Sequence, residues 1–176
     1  MQYGFYFDAT RCIGCNACAV ACKDWNDILP GAAVAWRRVT SVESGKVPSV
    51  KLVNMSNGCN HCGKPACLAV CPVSAITKRA EDGIVLVDQT KCIGCKACLA
   101  ACPFGVPQFG ASGKMQKCNL CVDKLKAGQM PECASSCTGG ALFAGPMDQL
   151  TAKATSKGGI QMAGVTQPSL LITLPK

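Results

Sequence analysis

Large aromatic side chains are scarce in this chain: Phe, Trp and Tyr together make up 5 % of 176 residues, and histidine occurs once. The 49 % hydrophobic count is inflated by cysteine and alanine, so a conventional core of this size is short of bulky residues. No stretch approaches the roughly 18–20 apolar residues of a membrane span. Rossmann glycine motif, P-loop and nucleophile–base signature are all missing, which leaves no catalytic site to argue. No basic stripe marks a nucleic-acid surface. No leading segment joins a basic region to an apolar one, so the expected compartment is the cytoplasm, where disulfides are rare.

What the chain has instead is cysteine. Sixteen are present, and all fall into four groups of four. Group one is Cys12, Cys15, Cys18 and Cys22; group two is Cys59, Cys62, Cys67 and Cys71. Group three is Cys92, Cys95, Cys98 and Cys102; group four is Cys118, Cys121, Cys133 and Cys137. Groups one and three read C-x2-C-x2-C-x3-C, the spacing by which thiolates of a short loop wrap a 4Fe–4S cube. Cysteines three apart in a loop make poor disulfide partners. A structural zinc wants C-x2-C pairs separated by a ribbon or finger, not a tandem C-x2-C-x2-C. With no cysteine left over, the count predicts four 4Fe–4S clusters and a protein that moves electrons. Folding and metal binding are then one event, with the clusters acting as core.

The formal net charge of +8 changes meaning in that light. A cluster with four thiolates carries about −2 when oxidised, so four clusters bring the total near zero. Arg11, Lys23, Lys91, Lys96 and Lys117 flank cysteines and are placed to compensate cluster charge.

An internal repeat organises the chain. Asp8-Ala9-Thr10-Arg11-Cys12-Ile13-Gly14-Cys15 returns as Asp88-Gln89-Thr90-Lys91-Cys92-Ile93-Gly94-Cys95. Each copy follows a short run, Tyr3 to Phe7 or Ile84 to Val87, and reads as strand, turn, cluster loop. Gly14 and Gly94 suit positive φ. Pro72 and Pro103 follow Cys71 and Cys102 and restrain the exit from the cluster loop. Glu81-Asp82-Gly83 reads as a hairpin turn.

From Cys59 to Pro103 the chain resembles a bacterial two-cluster ferredoxin. Groups one and four flank that unit, and eleven residues separate Cys121 from Cys133. The economical fold is α+β: two loop-rich, ferredoxin-like 4Fe–4S dicluster modules, one nested inside the other. Residues 1–31 with 104–150 make the outer module and 59–103 the inner one. Residues 32–58 are an inserted hairpin, and 151–176 a C-terminal tail. Length alone allows one or two compact units.

This nesting resembles the four-cluster iron–sulfur subunits of dimethyl sulfoxide reductase-type molybdenum and tungsten enzymes. The likeness runs through Tyr3-Gly4-Phe5-Tyr6-Phe7-Asp8 and Cys59-Asn60-His61-Cys62-Gly63-Lys64-Pro65-Ala66-Cys67. It continues in Cys118-Asn119-Leu120-Cys121, Pro131-Glu132-Cys133 and Gly145-Pro146-Met147-Asp148. Some relatives carry tryptophan in group three and hold three irons there; this chain has Cys95.

The resemblance implies crossed ligation, in which the fourth cysteine of a group serves the neighbouring cluster. Cys12, Cys15, Cys18 and Cys137 then hold one cluster, and Cys22, Cys118, Cys121 and Cys133 a second. Cys59, Cys62, Cys67 and Cys102 hold a third, and Cys71, Cys92, Cys95 and Cys98 the fourth. One sequence quartet per cluster is the competing arrangement. The resemblance also implies a non-catalytic subunit, relaying single electrons between a Mo- or W-pterin catalytic subunit and a second redox partner. The catalytic subunit is of the dimethyl sulfoxide reductase type or a tungsten aldehyde oxidoreductase. The second partner is a membrane anchor, a flavoprotein or an iron–sulfur protein. A free-standing polyferredoxin shuttling between enzymes is the alternative. Co-export with a signal-bearing catalytic subunit is an alternative to the cytoplasm.

Remaining features are quieter. His61, between two cysteines, reads as a packed residue or a cluster-tuning hydrogen bonder; Trp25 and Trp36 read as packing residues. Ala35 to Met55 alternates around Ser44-Gly45 as a hairpin. Leu142 to Leu150 closes the module and enters a short helix near Pro146. The apolar end, Ser169 to Leu174, either completes a sheet within the molecule or docks on another one. Docking of this tail or of the hairpin, including onto a second copy of the subunit, is the expectation carried forward.

Overall fold

The computed structural model describes residues 1–29 and 34–175. The expected join between the first outer segment and the insertion, at 31–32, lies outside the described residues. So does the tail's final residue. In sequence order the elements are β1 (Tyr3–Asp8), α1 (Ala17–Trp25), β2 (Arg38–Lys46), β3 (Ser49–Asn57) and α2 (Ala66–Ala69). There follow β4 (Ile76–Lys78), β5 (Val85–Val87), α3 (Ala97–Ala101), β6 (Gln108–Phe109) and β7 (Met115–Gln116). Last come α4 (Val122–Lys126), α5 (Glu132–Ser135), β8 (Leu142–Pro146), α6 (Met147–Thr155), β9 (Ile160–Gln161) and β10 (Leu170–Thr173). Among the described residues no helix is long and apolar enough to cross a membrane.

Strand β1 concentrates the aromatic residues, and its alternation decides the core. Phe5 and Phe7 face one side, with Ile84, Leu120, Leu142, Ile172 and the cysteines Cys18, Cys118 and Cys133. Tyr6 faces the other, against Leu150 and Ala154 of α6 and Leu171. Each fully buried large side chain of this kind contributes roughly 1.5–3 kcal/mol. Tyr6 stacks on Phe143 with centroids 5.4 Å apart, and its hydroxyl meets Thr173 Oγ1 at 3.0 Å.

The tail settles inside this fold, which corrects the docking expectation for residues 169–174. The sheet order is β8-β1-β10-β9. Strand β10 runs parallel to β1, Phe5 opposite Leu170 and Asp8 opposite Thr173. Leu171 and Ile172 are 3 % and 7 % exposed, so the apolar end is satisfied within its own molecule. Gly4 permits the close approach: a Cβ there would stand 2.2 Å from the Ser169 carbonyl oxygen.

The insertion is a hairpin, but its turn is not at Ser44-Gly45. Those residues are paired, with Lys51 and Val50, and the ladder continues to Lys46 opposite Ser49. The reversal falls at Val47-Pro48, because proline has no N–H to give a ladder. Most of both strands is exposed.

The repeat has a local cause. Asp8 Oδ1 accepts from the Thr10 N–H at 3.2 Å and hydroxyl at 2.5 Å. Asp88 Oδ1 accepts from Thr90 at 2.9 and 2.5 Å in the same way. Both are side-chain turns closed two residues ahead. Past them, Gly14 and Gly94 take φ of 73° and 71°. Asn16 and Lys96, at 61° and 62°, then launch α1 and α3. Gly83, at φ 69°, makes the reversal from β4 to β5 where Glu81-Asp82-Gly83 was expected to. The expected helix near Pro146 begins at Met147.

Candidate iron–sulfur sites

The helices after each cluster loop bring distant cysteines together. Short α2 packs on α3, and α1 on α5, so the fourth cysteine of a group leaves its own loop on a helix that leans toward the partner group. One cavity is lined by Cys59, Cys62, Cys67 and Cys102, with Pro65, Pro103, Phe104 and Val106. Another is lined by Cys71, Cys92, Cys95 and Cys98, with Ile76, Val87, Phe109 and Met115. Around a third stand Cys12, Cys15, Cys18 and Cys137, with Phe7, Val39 and Leu142. Cys22, Cys118, Cys121 and Cys133 are all buried and lie within electrostatic reach of one another. Among the described residues no three Cys, His, Asp or Glu side chains are gathered for a single metal ion. In three of the four sets the thiols line cavities. A larger cavity, about 270 Å³, opens beside Trp36, Arg38 and Phe104 with only Cys59 at its margin.

Donors aim at the sulfurs, as thiolates bound to iron require. The N–H of Ala75 reaches Cys71 Sγ at 3.3 Å, Met115 reaches Cys92 at 3.3 Å, Leu120 reaches Cys118 at 3.3 Å and Ala141 reaches Cys137 at 3.2 Å. Hydroxyls add to these: Thr138 Oγ1 lies 3.3 Å from Cys15 Sγ, and Ser56 Oγ 3.4 Å from Cys18 Sγ. Thr166, whose buried hydroxyl opposes the upward push of burial on the Cys62 thiol, lines the same cavity as Cys62. This donor set fits 4Fe–4S clusters.

Electrostatics make the same demand. Burial, then the neighbouring Cys133, push the Cys22 thiol up to about 12. Burial and Cys59 push Cys67 to about 11, against the pull of Lys117. Cys118, fully buried, is raised further, with Arg37 opposing. At the exposed rim the sign reverses: the Thr138 hydroxyl lowers Cys15. Iron must displace protons from the inner thiols, which couples cluster binding to proton release.

Of the five cations expected to compensate cluster charge, Lys117 is buried at 4 % exposure; Arg11, Lys91 and Lys96 are exposed at the surface. Lys117 donates to the Cys118 carbonyl at 3.0 Å and to the Val85 carbonyl. Arg37, which the spacing of cysteines gave no reason to single out, is buried as deeply. Ser56, Thr138 and Thr166 were equally silent, since single hydroxyl residues carry no periodic signal. His61 is fully buried, its Nδ1 accepting from the Val85 N–H at 3.1 Å. Trp36 packs inside and donates to Gln116 at 3.0 Å. Trp25 is 43 % exposed and held at the surface by Asp123 at 3.1 Å and by Lys124 over its ring, so it is no core packing residue.

Comparison with known proteins agrees with this chemistry. Two family profiles described as 4Fe-4S dicluster domains match residues 50–147 and 11–75. The B subunit of anaerobic dimethyl sulfoxide reductase from Escherichia coli is 40 % identical over 183 residues, covering 97 % of this chain and 88 % of that protein. The formate dehydrogenase iron-sulfur subunit of Wolinella succinogenes is 40 % identical over 170 residues, 84 % of this chain and 82 % of that one. The thiosulfate reductase electron transfer subunit of Salmonella typhi is 43 % identical over 155 residues, 84 % and 78 % of the two proteins. With cysteine-lined cavities, sulfur-directed donors and relatives of this kind, the protein belongs to the 4Fe–4S dicluster family of non-catalytic electron-transfer subunits that includes the B subunit of dimethyl sulfoxide reductase.

Proposed function

We propose that this subunit relays single electrons through four 4Fe–4S clusters, between a molybdenum- or tungsten-pterin catalytic subunit and a second redox partner. The carrying observation is that each of three cavities is lined by four cysteines drawn from two sequence groups. That supports crossed ligation over one quartet per cluster. The sets are Cys12, Cys15, Cys18 and Cys137; Cys22, Cys118, Cys121 and Cys133; Cys59, Cys62, Cys67 and Cys102; and Cys71, Cys92, Cys95 and Cys98. Two sets join groups one and four and two join groups two and three, which is what one module nested inside another requires.

When bound, each cluster supplies a reversible one-electron couple. The protein's own residues hold the thiolates, donate to them from Ala75, Met115, Leu120 and Ala141, and keep water off with Phe7, Ile76, Leu142 and Phe104. A subunit of this size has a radius of gyration near ~16 Å, so four centres distributed across its width would stand roughly ten ångström apart. The relatives' names support assembly with a reductase or dehydrogenase.

Anaerobic purification followed by iron and sulfide analysis and native mass spectrometry tests the proposal. The expected result is about sixteen irons and sixteen acid-labile sulfides per subunit, copurifying with a large pterin-containing protein. Stoichiometric zinc with little iron overturns the clusters; an iron-replete subunit that always purifies alone overturns the subunit role.

A further inference from the structure

Arg37 lies just before β2 of the inserted hairpin, away from every cysteine group in sequence, and is 3 % exposed. Among the described residues no carboxylate forms an ion pair with it. Its guanidinium carbon stands 4.4 Å from the centre of the Phe5 ring. On another side is Gly58, where a Cβ would come within 3.1 Å of Nη2. Nη1 donates to Ser56 Oγ at 3.0 Å. Nε has no acceptor. A cation buried this way is costly unless negative charge stands close by.

The groups within electrostatic reach of it are sulfurs, those of Cys133, Cys118, Cys18 and Cys22, which would carry negative charge as cluster thiolates. One is reached through a hydroxyl, since Ser56 Oγ is 3.4 Å from Cys18 Sγ. An arginine N–H only donates, so Ser56 accepts from Arg37 and its own proton is free to point at the sulfur.

We propose that Arg37 is the internal counter-charge for the pair of centres built from cysteine groups one and four, acting on Cys18 through Ser56. The inference rests on the ligand sets proposed above. A fixed cation stabilises the more negative, reduced state of a centre beyond its oxidised state, so Arg37 raises the reduction potential of that pair. It is a positioning and tuning residue: it touches no substrate, and its effect is read in a potential.

The test uses full-length holoprotein carrying Arg37→Gln, Arg37→Lys or Ser56→Ala, with iron and sulfide content and redox titration of each centre followed by electron paramagnetic resonance. Arg37→Gln is expected to keep its iron and move two centres to more negative potential while the other two stay in place. Arg37→Lys, which keeps the charge, should hold both nearer their original values. Ser56→Ala should move one centre in the same direction by a smaller shift. Iron-replete Arg37→Gln protein with all potentials unmoved, or with all four displaced alike, overturns the role of Arg37. If Arg37→Gln does not assemble, Ser56→Ala decides, and an unmoved potential overturns the proposal. Wild-type protein without iron would instead refute the ligand sets themselves, a distinct outcome.

Discussion

His61 and Lys117 hold the same residue from its two backbone ends. The Val85 N–H donates to His61 Nδ1 at 3.1 Å, and Lys117 Nζ donates to the Val85 carbonyl. The imidazole must therefore be neutral, with its proton on Nε2, which has no acceptor among the described residues. Burial first, then Lys117 and Arg37, keep its pKa well below the usual 6.5.

From this follows a pH dependence. The unfolded state takes up a proton on His61 near pH 6.5 while the folded state does not, so stability rises with pH across that window and is lost below it. Thermal unfolding of the holoprotein between pH 7.5 and about 5.5 should show the decline. His61→Gln, which offers Val85 an amide oxygen, should flatten it. Equal slopes for the two proteins would refute the assignment to His61.

Crossed ligation makes a second prediction. Cys102→Ser should disturb the centre held by Cys59, Cys62 and Cys67, not the centre of its own sequence group. Replacing Cys95 with a weaker ligand should convert one four-iron centre toward three irons. Electron density showing Cys102 on the same cube as Cys92 would count decisively against the assignment, as would four unaltered spectra for the Cys95 variant.

The tail carries a third. Truncation before Ser169 removes β10 from between β1 and β9 and uncovers Tyr6 and Phe7. Leu171 and Ile172 alone account for roughly 3–6 kcal/mol of burial, a large share of a typical domain's margin. The truncated protein should lose its soluble, iron-loaded form. Thr173→Val, which takes only the partner of the Tyr6 hydroxyl, should cost about 1 kcal/mol in a thermal melt. An iron-replete truncation with an unchanged melt would show that β10 is dispensable.

Much of the site was legible because cysteine spacing is a local code. A C-x2-C-x2-C loop needs a left-handed residue at fixed places, and Gly14, Asn16, Gly94 and Lys96 supply it. The Asp-x-Thr turns of the repeat are equally local. Arg37 and Ser56 were not legible, since nothing at their own positions says which sulfurs folding will bring to them. The hairpin turn was misread because Ser44-Gly45 has turn chemistry, yet Pro48 cannot donate to the ladder and so ends it. For the tail, an apolar strand announces that it needs an edge but not whose. Only Gly4, with no Cβ to keep Ser169 away, hinted that the edge was β1.

The sheet also imposes a timetable. Tyr6 and Thr173, joined by their hydroxyls, are 167 residues apart, and both neighbours of β1 are made long after it. At roughly 5–20 residues per second on the ribosome, β1 waits on the order of ten to thirty seconds with Phe5, Tyr6 and Phe7 uncovered. Cys59 to Cys102 has emerged well before then. On the proposed ligand sets those eight thiols are the first to be complete, while Cys12, Cys15 and Cys18 wait for Cys137. A cell that makes this protein must therefore shelter β1 until β8 and β10 arrive.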